Sequence, residues 1–321
     1  MKKCTPVNKN ASLEVKKVLE YLSSVSGKGL ITGQHTQTMI QKELKYIENV
    51  TGKLPALCGF EMLAYSPNIN YEDASEECLI EVEENKNTLE KAFEWAKKYH
   101  GLVTLTWHWF SPIGGKDKSF YAKNTDFDAS KAIIAGTEEN IALIADMDKI
   151  AVYLKEFEKQ NIPIIWRPFH ESDGTWFWWG AKGCEPAREL YAIMYDRYTN
   201  FHKLNNLIWV WNSRIKDGYV GDQIADIISI DLYPEAHEYK DFSEEYDTLM
   251  NLTNEDKITA LAEVGVVPDI EKLSENNIPW SWFMIWSNEF CDTEQFTTKE
   301  ILKKTYLSDY AITLEKLPKL F

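Results

Sequence analysis

Short apolar runs, rich in β-branched and aromatic residues, recur along the chain and end in polar residues. Eight stand out, at residues 29–32, 55–60, 102–107, 162–166, 207–211, 227–230, 258–262 and 282–286. They are nearly continuous in hydrophobicity rather than alternating, which predicts strands buried on both faces, as in a parallel sheet. Amphipathic stretches separate them. Residues 88–99 place Leu89, Ala92, Phe93 and Ala96 on one face, and residues 146–160 and 186–204 behave likewise. Each supplies the crossover that a parallel strand pair needs. Eight strand–helix units predict a (β/α)8 barrel, a TIM barrel, formed as a single domain over residues 1–321. An open doubly wound sheet would carry a glycine-rich turn after the first strand, and Gly33-Gln34-His35-Thr36 does not fit that pattern.

Side chains at the C-terminal ends of barrel strands face the active site. Here those ends carry Gln34 and His35, Glu61, His108 and Trp109, residues 167–171, Trp211 and Asn212, residues 231–233, Glu263, and residues 286–288. Two carboxylates, Glu171 and Glu263, end strands four and seven on opposite sides of the barrel mouth. A two-carboxylate glycosidase needs this arrangement, one group protonating the leaving oxygen while the other attacks the anomeric carbon. A general acid working near neutral pH needs a raised pKa, which apolar walls supply by disfavouring its anion. Trp176, Trp178 and Trp179 follow Glu171 closely enough to be such walls. His108 and His170 sit beside these carboxylates, where they contact substrate or orient a carboxylate. His35 stands between a site role and a structural one. His100, His202 and His237 read as structural.

Composition narrows the chemistry further. Twelve tryptophans ask for a use, and about half would serve packing while the others offer flat faces for sugar rings. A formal charge of −15 argues against a nucleic-acid partner, whose phosphates need a basic face. Five scattered cysteines without a C-x-x-C pair argue against a disulfide framework or zinc site. Strands five and six end without histidine, so no metal is expected, and no cofactor. No run of about 18 apolar residues is present to span a membrane. Met1-Lys2-Lys3 starts like a signal peptide, but no apolar stretch follows through Lys17. A cytoplasmic location is expected if Met1 is the native start, and secretion if a signal peptide was removed.

The stretch RPFHESDGTWFWWG at residues 167–180 resembles the acid/base signature of glycoside hydrolase family 26. Supporting matches run in order through residues 30–35, 106–109, 207–212, 231–234, 262–265 and 285–288. The resemblance implies a retaining barrel glycosidase, most often an endo-β-1,4-mannanase, acting on β-mannan or mannooligosaccharides. It implies Glu171 as acid/base and Glu263 as nucleophile. By the same similarity His108 and His170 would bind the sugar at the cleavage site, and Tyr233 would hydrogen-bond the nucleophile. Trp176 and Trp286 would form aromatic walls, and Trp109 and Trp179 join the expected substrate-binding set. Two departures stand out. The family's usual Met-Asn after the acid/base is Ser172-Asp173, which alters polar contacts beside the cut, and residues 265–280 are short, which opens or reshapes one end of the cleft. Mixed-linkage β-glucan and β-xylan are the rival substrates within the family. A non-catalytic carbohydrate-binding barrel is the rival outside it, and the presence of both carboxylates counts against that.

Overall fold

The computed structural model describes residues 2–37, 39–72, 74–113 and 119–321. Eight strands form from the eight apolar runs: β1 Leu30–His35, β2 Leu57–Glu61, β3 Leu102–Thr106, β4 Ile164–Arg167, β5 Leu207–Asn212, β6 Ile227–Leu232, β7 Ile258–Val264 and β8 Trp282–Ile285. Every neighbouring pair is parallel, and β1 bonds both β2 and β8, so the sheet closes into a (β/α)8 barrel. A two-residue strand, β9 (Ala311–Ile312), adds to the start of β1.

The first strand runs past Thr32 to His35, with Gly33 inside it. A Cβ at Gly33 would lie 2.5 Å from the Phe283 carbonyl oxygen of β8, so the glycine marks a close backbone approach rather than a strand end. The helix expected at 146–160 begins earlier, at Glu138–Lys159, because Thr137 caps it by accepting from the Asn140 amide at 3.1 Å. The helices Thr88–Glu94 and Cys184–Asp196 each continue through a wider π-type turn, closed by His100 N–H to Trp95 C=O and His202 N–H to Arg197 C=O.

Inside the barrel, alternate residues of the strands pack together: Ile31, Leu57, Ile165, Ile208 and Val210, Ile227, Ile258 and Ala260, and Trp282 and Met284. The N-terminal helix Leu13–Val25 closes the lower end by adding Val15, Val18, Leu19 and Leu22 to the same cluster. The opposite faces of the strands pack against the outer helices in two further clusters. Ten of the twelve tryptophans are buried, and only Trp176 and Trp286 keep appreciable exposure. Tryptophan in this chain is therefore chiefly packing material, more so than the composition suggests. Among the described residues no helix is long and apolar enough to cross a membrane.

Candidate active site

Alternation along each strand decides what reaches the barrel mouth. Counting in twos from the inward residues carries His35, Glu61, His108, Arg167, Asn212, Asp231 and Trp286 to the inner rim. Glu263 breaks the count. Ile258 and Ala260 face inward, while Leu261 packs outward with Ile270, Leu273 and Trp280, so regular alternation would turn Glu263 toward the helices. The ladder to β6 slips here: Ile230 pairs Leu261 and the next residue, Asp231, pairs Glu263. The extra residue, Ala262, is a β-bulge that turns Glu263 back to the mouth, a common role for bulges beside sites.

There Glu263 is 3% exposed and bonded from two sides. The Arg167 guanidinium donates to Oε1, and the Tyr233 hydroxyl donates to Oε2 at 2.9 Å. Arg167 also donates to Asp231 Oδ2 at 2.6 Å, so one buried cation serves two carboxylates. Burial pushes the Glu263 carboxyl above its ordinary range, the Arg167 guanidinium opposes this, and the nearby Glu171 carboxylate adds to the rise.

Glu171 lies just beyond β4 with a left-handed backbone, φ 52°. Such a conformation is uncommon for a residue with a side chain and is found at sites that the surroundings hold in place. Asn212 supplies the hold: its Oδ1 accepts from the Glu171 N–H at 2.7 Å, and its Nδ2 donates to Asp231 at 2.8 Å. The Trp176 indole N–H donates to Glu171 Oε2 at 2.6 Å, leaving the other oxygen to carry a proton. Gly174 makes this contact possible, since a Cβ there would sit 2.2 Å from the Trp176 ring. Burial, then the Asp231 charge, raises the Glu171 pKa to about 7.

A second network lies across the mouth. Glu61, 1% exposed, accepts from the His108 backbone N–H at 2.6 Å and meets His108 Nδ1 at 2.8 Å. The remaining His108 nitrogen, Nε2, lies 3.1 Å from His170 Nε2. Burial works against charge on both imidazoles. For His108 the Glu61 carboxylate overcomes it and the pKa rises, whereas His170, facing His108, falls well below its ordinary value. The pair therefore fits a His108 that donates from both nitrogens and a neutral His170 that accepts. Trp286 stacks on the buried His35, centroids 3.9 Å apart, which fixes its ring at the rim.

These groups surround a cavity of about 410 Å³ lined by Glu171, Glu263, His108, His170, Trp176, Tyr233 and Trp286. Seven of the nine side chains expected from sequence thus meet in one place. Trp109 and Trp179 do not. They are 1% and 0% exposed and lie in the packed layer behind the cavity, so their expected role as sugar-facing surfaces is corrected. Trp109 follows the inward His108 and so turns to the opposite face, stacking on Trp107 at 3.9 Å and donating to Asp146 at 3.1 Å. Trp179 donates its indole N–H to the His170 carbonyl at 2.8 Å and acts as a buttress. Arg167, Asp231, Asn212 and Glu61 stood among the strand-end residues without a role, and the parity of their strands would have marked them as inward.

Glu171, Asp231 and Glu263 each bring an oxygen within 4.8 Å of the others, the one grouping among the described residues with the spacing of a metal site. Arg167 already supplies a cation to two of the three. With one proton-holding carboxyl opposite one guanidinium-bound carboxylate, the arrangement suits acid and nucleophile chemistry on a single bond placed between them.

Comparison with known proteins adds to this geometry. The sequence pattern of glycosyl hydrolase family 26 matches residues 7–316. A mannan endo-1,4-β-mannosidase of Thermothelomyces thermophilus is 37% identical over 318 residues, covering 97% of this chain and 62% of that protein. Mannan endo-1,4-β-mannosidase B of a Piromyces species is 33% identical, over 98% of this chain and 54% of its own length. The chain thus spans between about half and three-fifths of these relatives. Among solved structures, a Podospora anserina GH26-CBM35 β-(1,4)-mannanase superposes with a TM-score of 0.88 at 36% identity, covering 99% of this chain and 70% of that one. A β-mannanase from a symbiotic protist of the termite Reticulitermes speratus, complexed with gluco-manno-oligosaccharide, superposes with a TM-score of 0.86 at 29% identity, over 99% and 98% of the two chains.

Proposed function

The chain belongs to glycosyl hydrolase family 26, and on that premise we propose that it hydrolyses internal β-1,4-mannosidic bonds of mannans and mannooligosaccharides by a retaining double displacement. Residues 1–321 form its catalytic domain. Glu171 is the acid/base and Glu263 the nucleophile. The observation that carries this reading is the approach of the two carboxylates, with oxygens within 4.8 Å. Retaining glycosidases hold their carboxyl groups about 5–5.5 Å apart, whereas inverting ones leave about 6.5–9.5 Å for a water.

In the first step Glu171, protonated near neutral pH, gives its proton to the glycosidic oxygen as the bond to C1 breaks. Glu263 attacks C1 from the opposite side and forms a glycosyl ester. Arg167 and Tyr233 hold Glu263 as the anion and aim it, while Asp231 keeps Arg167 paired once the ester has consumed the Glu263 charge. The released sugar leaves with the proton from Glu171. In the second step the Glu171 carboxylate takes a proton from water, the resulting hydroxide attacks C1, and Glu263 departs. Two inversions restore the starting configuration. His108 and His170 line the pocket of the sugar that carries C1 and contact its ring, and Trp286 and Trp176 wall it. Glucomannan falls within the same substrate class, supported by the gluco-manno-oligosaccharide bound to the protist relative.

Reducing-sugar release from mannan, glucomannan, mixed-linkage β-glucan and β-xylan tests the substrate, and proton NMR of the first-formed anomer tests the mechanism. Mannan and glucomannan should be cut with retention. Activity confined to xylan or mixed-linkage glucan would overturn the substrate, and an inverted first product would overturn the assignment of Glu263.

A further inference from the structure

Beyond Glu171 the cleft continues into a second cavity of about 400 Å³ that Glu263 does not line. A sugar attacked at C1 by Glu263 must occupy the first cavity. The second, which shares Glu171 but not the nucleophile, is therefore the leaving-group side. Glu171, Trp176 and Tyr233 line both cavities and stand next to the cut, whereas Asp173 and Arg214 line only the outer one. They meet the sugar further from the cut.

Asp173 lies two residues past Glu171, in the loop after β4. Its carboxylate Oδ2 accepts from Arg214 Nε–H at 3.0 Å, joining the loop after β4 to the loop after β5. Asp173 is largely covered, at 16% exposure, and anchors an arginine that is 58% exposed. The ion pair engages one guanidinium N–H. The two terminal amino groups have no hydrogen-bond partner among the described residues, and neither has Asp173 Oδ1. A guanidinium held in this way is a planar fork that loses little freedom when it donates to neighbouring hydroxyls, and the free carboxylate oxygen can accept from a third. An asparagine could not fix the arginine by charge.

We propose that the Asp173–Arg214 pair is a sugar-binding subsite on the leaving-group side, recognising hydroxyls of a distal mannosyl unit and so setting where the chain is cut. This rests on the reading of the protein as a retaining mannanase. A fixed subsite beyond the first leaving-group sugar favours positions that leave at least two sugars past the cleaved bond. An aryl leaving group presents no hydroxyl to Arg214 and forgoes the contact.

The test compares Arg214→Ala with the wild-type protein on mannopentaose labelled at its reducing end and on an aryl β-mannobioside. In the variant the ratio of kcat/KM for mannopentaose to that for the aryl substrate should fall about tenfold or more, as expected for loss of charge-assisted hydrogen bonds. The loss should sit mainly in KM, and the main cut should move one sugar toward the reducing end. Arg214→Lys should recover only part of the ratio, because an ammonium cannot reproduce the fork, and Asp173→Asn should lower it by freeing the guanidinium. A ratio and cutting pattern within twofold of wild type would overturn the proposal. So would a parallel fall on both substrates, which would indicate a disturbed Glu171 loop instead. A wild-type protein inert on both substrates would overturn the mannanase reading, and this inference with it.

Discussion

Glu171 should weaken the fold at the pH where it is ionised, and Glu171→Gln should relieve that cost. Its pKa is raised from 4.5 to about 7 because burial and the Asp231 charge disfavour the anion. A carboxyl raised in the folded state binds more protons there than in the unfolded chain. Stability is therefore greatest below about pH 4.5, falls as pH rises between the two values, and is fully lowered above about pH 7. At about 1.4 kcal/mol per tenfold, the gap amounts to about 3 kcal/mol. Glutamine matches the shape of the protonated acid, and its side-chain oxygen can still accept from the Trp176 indole N–H. The variant should match wild type at pH 4 and exceed it by about 3 kcal/mol at pH 8.5. Unfolding entropy of about 2.1 cal/mol/K per residue over 321 residues is about 0.7 kcal/mol/K, so the expected gain in Tm is about 4–5 °C. Calorimetry of both proteins from pH 4 to 8.5 measures it. A gain that is absent at pH 8.5, or equally large at pH 4, would refute the argument that a buried, proton-holding Glu171 opposes stability.

Two further outcomes separate the site's parts. Glu263→Ala should abolish turnover of every substrate, whereas Glu171→Ala should release an aryl alcohol in a burst, turn over slowly with acceleration by azide, and lose about 10²–10⁴-fold on natural glycans; stopped-flow and steady-state assays distinguish them, and near-wild-type activity of Glu171→Ala on mannan would remove it from the acid/base role. Trp176→Phe deletes an N–H that favours the Glu171 anion, so the alkaline limb of kcat/KM should move up from about pH 7 by about half a pH unit or more while the rate falls; a downward shift would contradict the observed bond.

The barrel was legible along the chain because strands buried on both faces need local runs of apolar residues, and all eight runs became strands. The positions of Glu171, His108, His170 and Trp286 were legible for a related reason: the chemistry of a barrel collects where apolar runs give way to polar residues. Local pattern does not fix depth or facing. Trp109 sits closer in sequence to His108 than Trp176 does to Glu171, yet it is buried behind the cavity, because neighbouring residues turn to opposite faces and the outer helices cover one of them; Trp179 is buried in the same layer. The aim of Glu263 required more than the sequence of β7, since alternation from Ile258 points it at the helices and only the slipped pairing with β6 returns it to the mouth. Arg167, 64 residues from Asp231 and 96 from Glu263, bonds both, and Arg214 meets Asp173 across 41 residues. Periodicity within a run determines that a strand forms. Which carboxylates share a cation, and which ring meets the substrate, depend on register and closure between strands far apart in sequence, so only the closed barrel decides them.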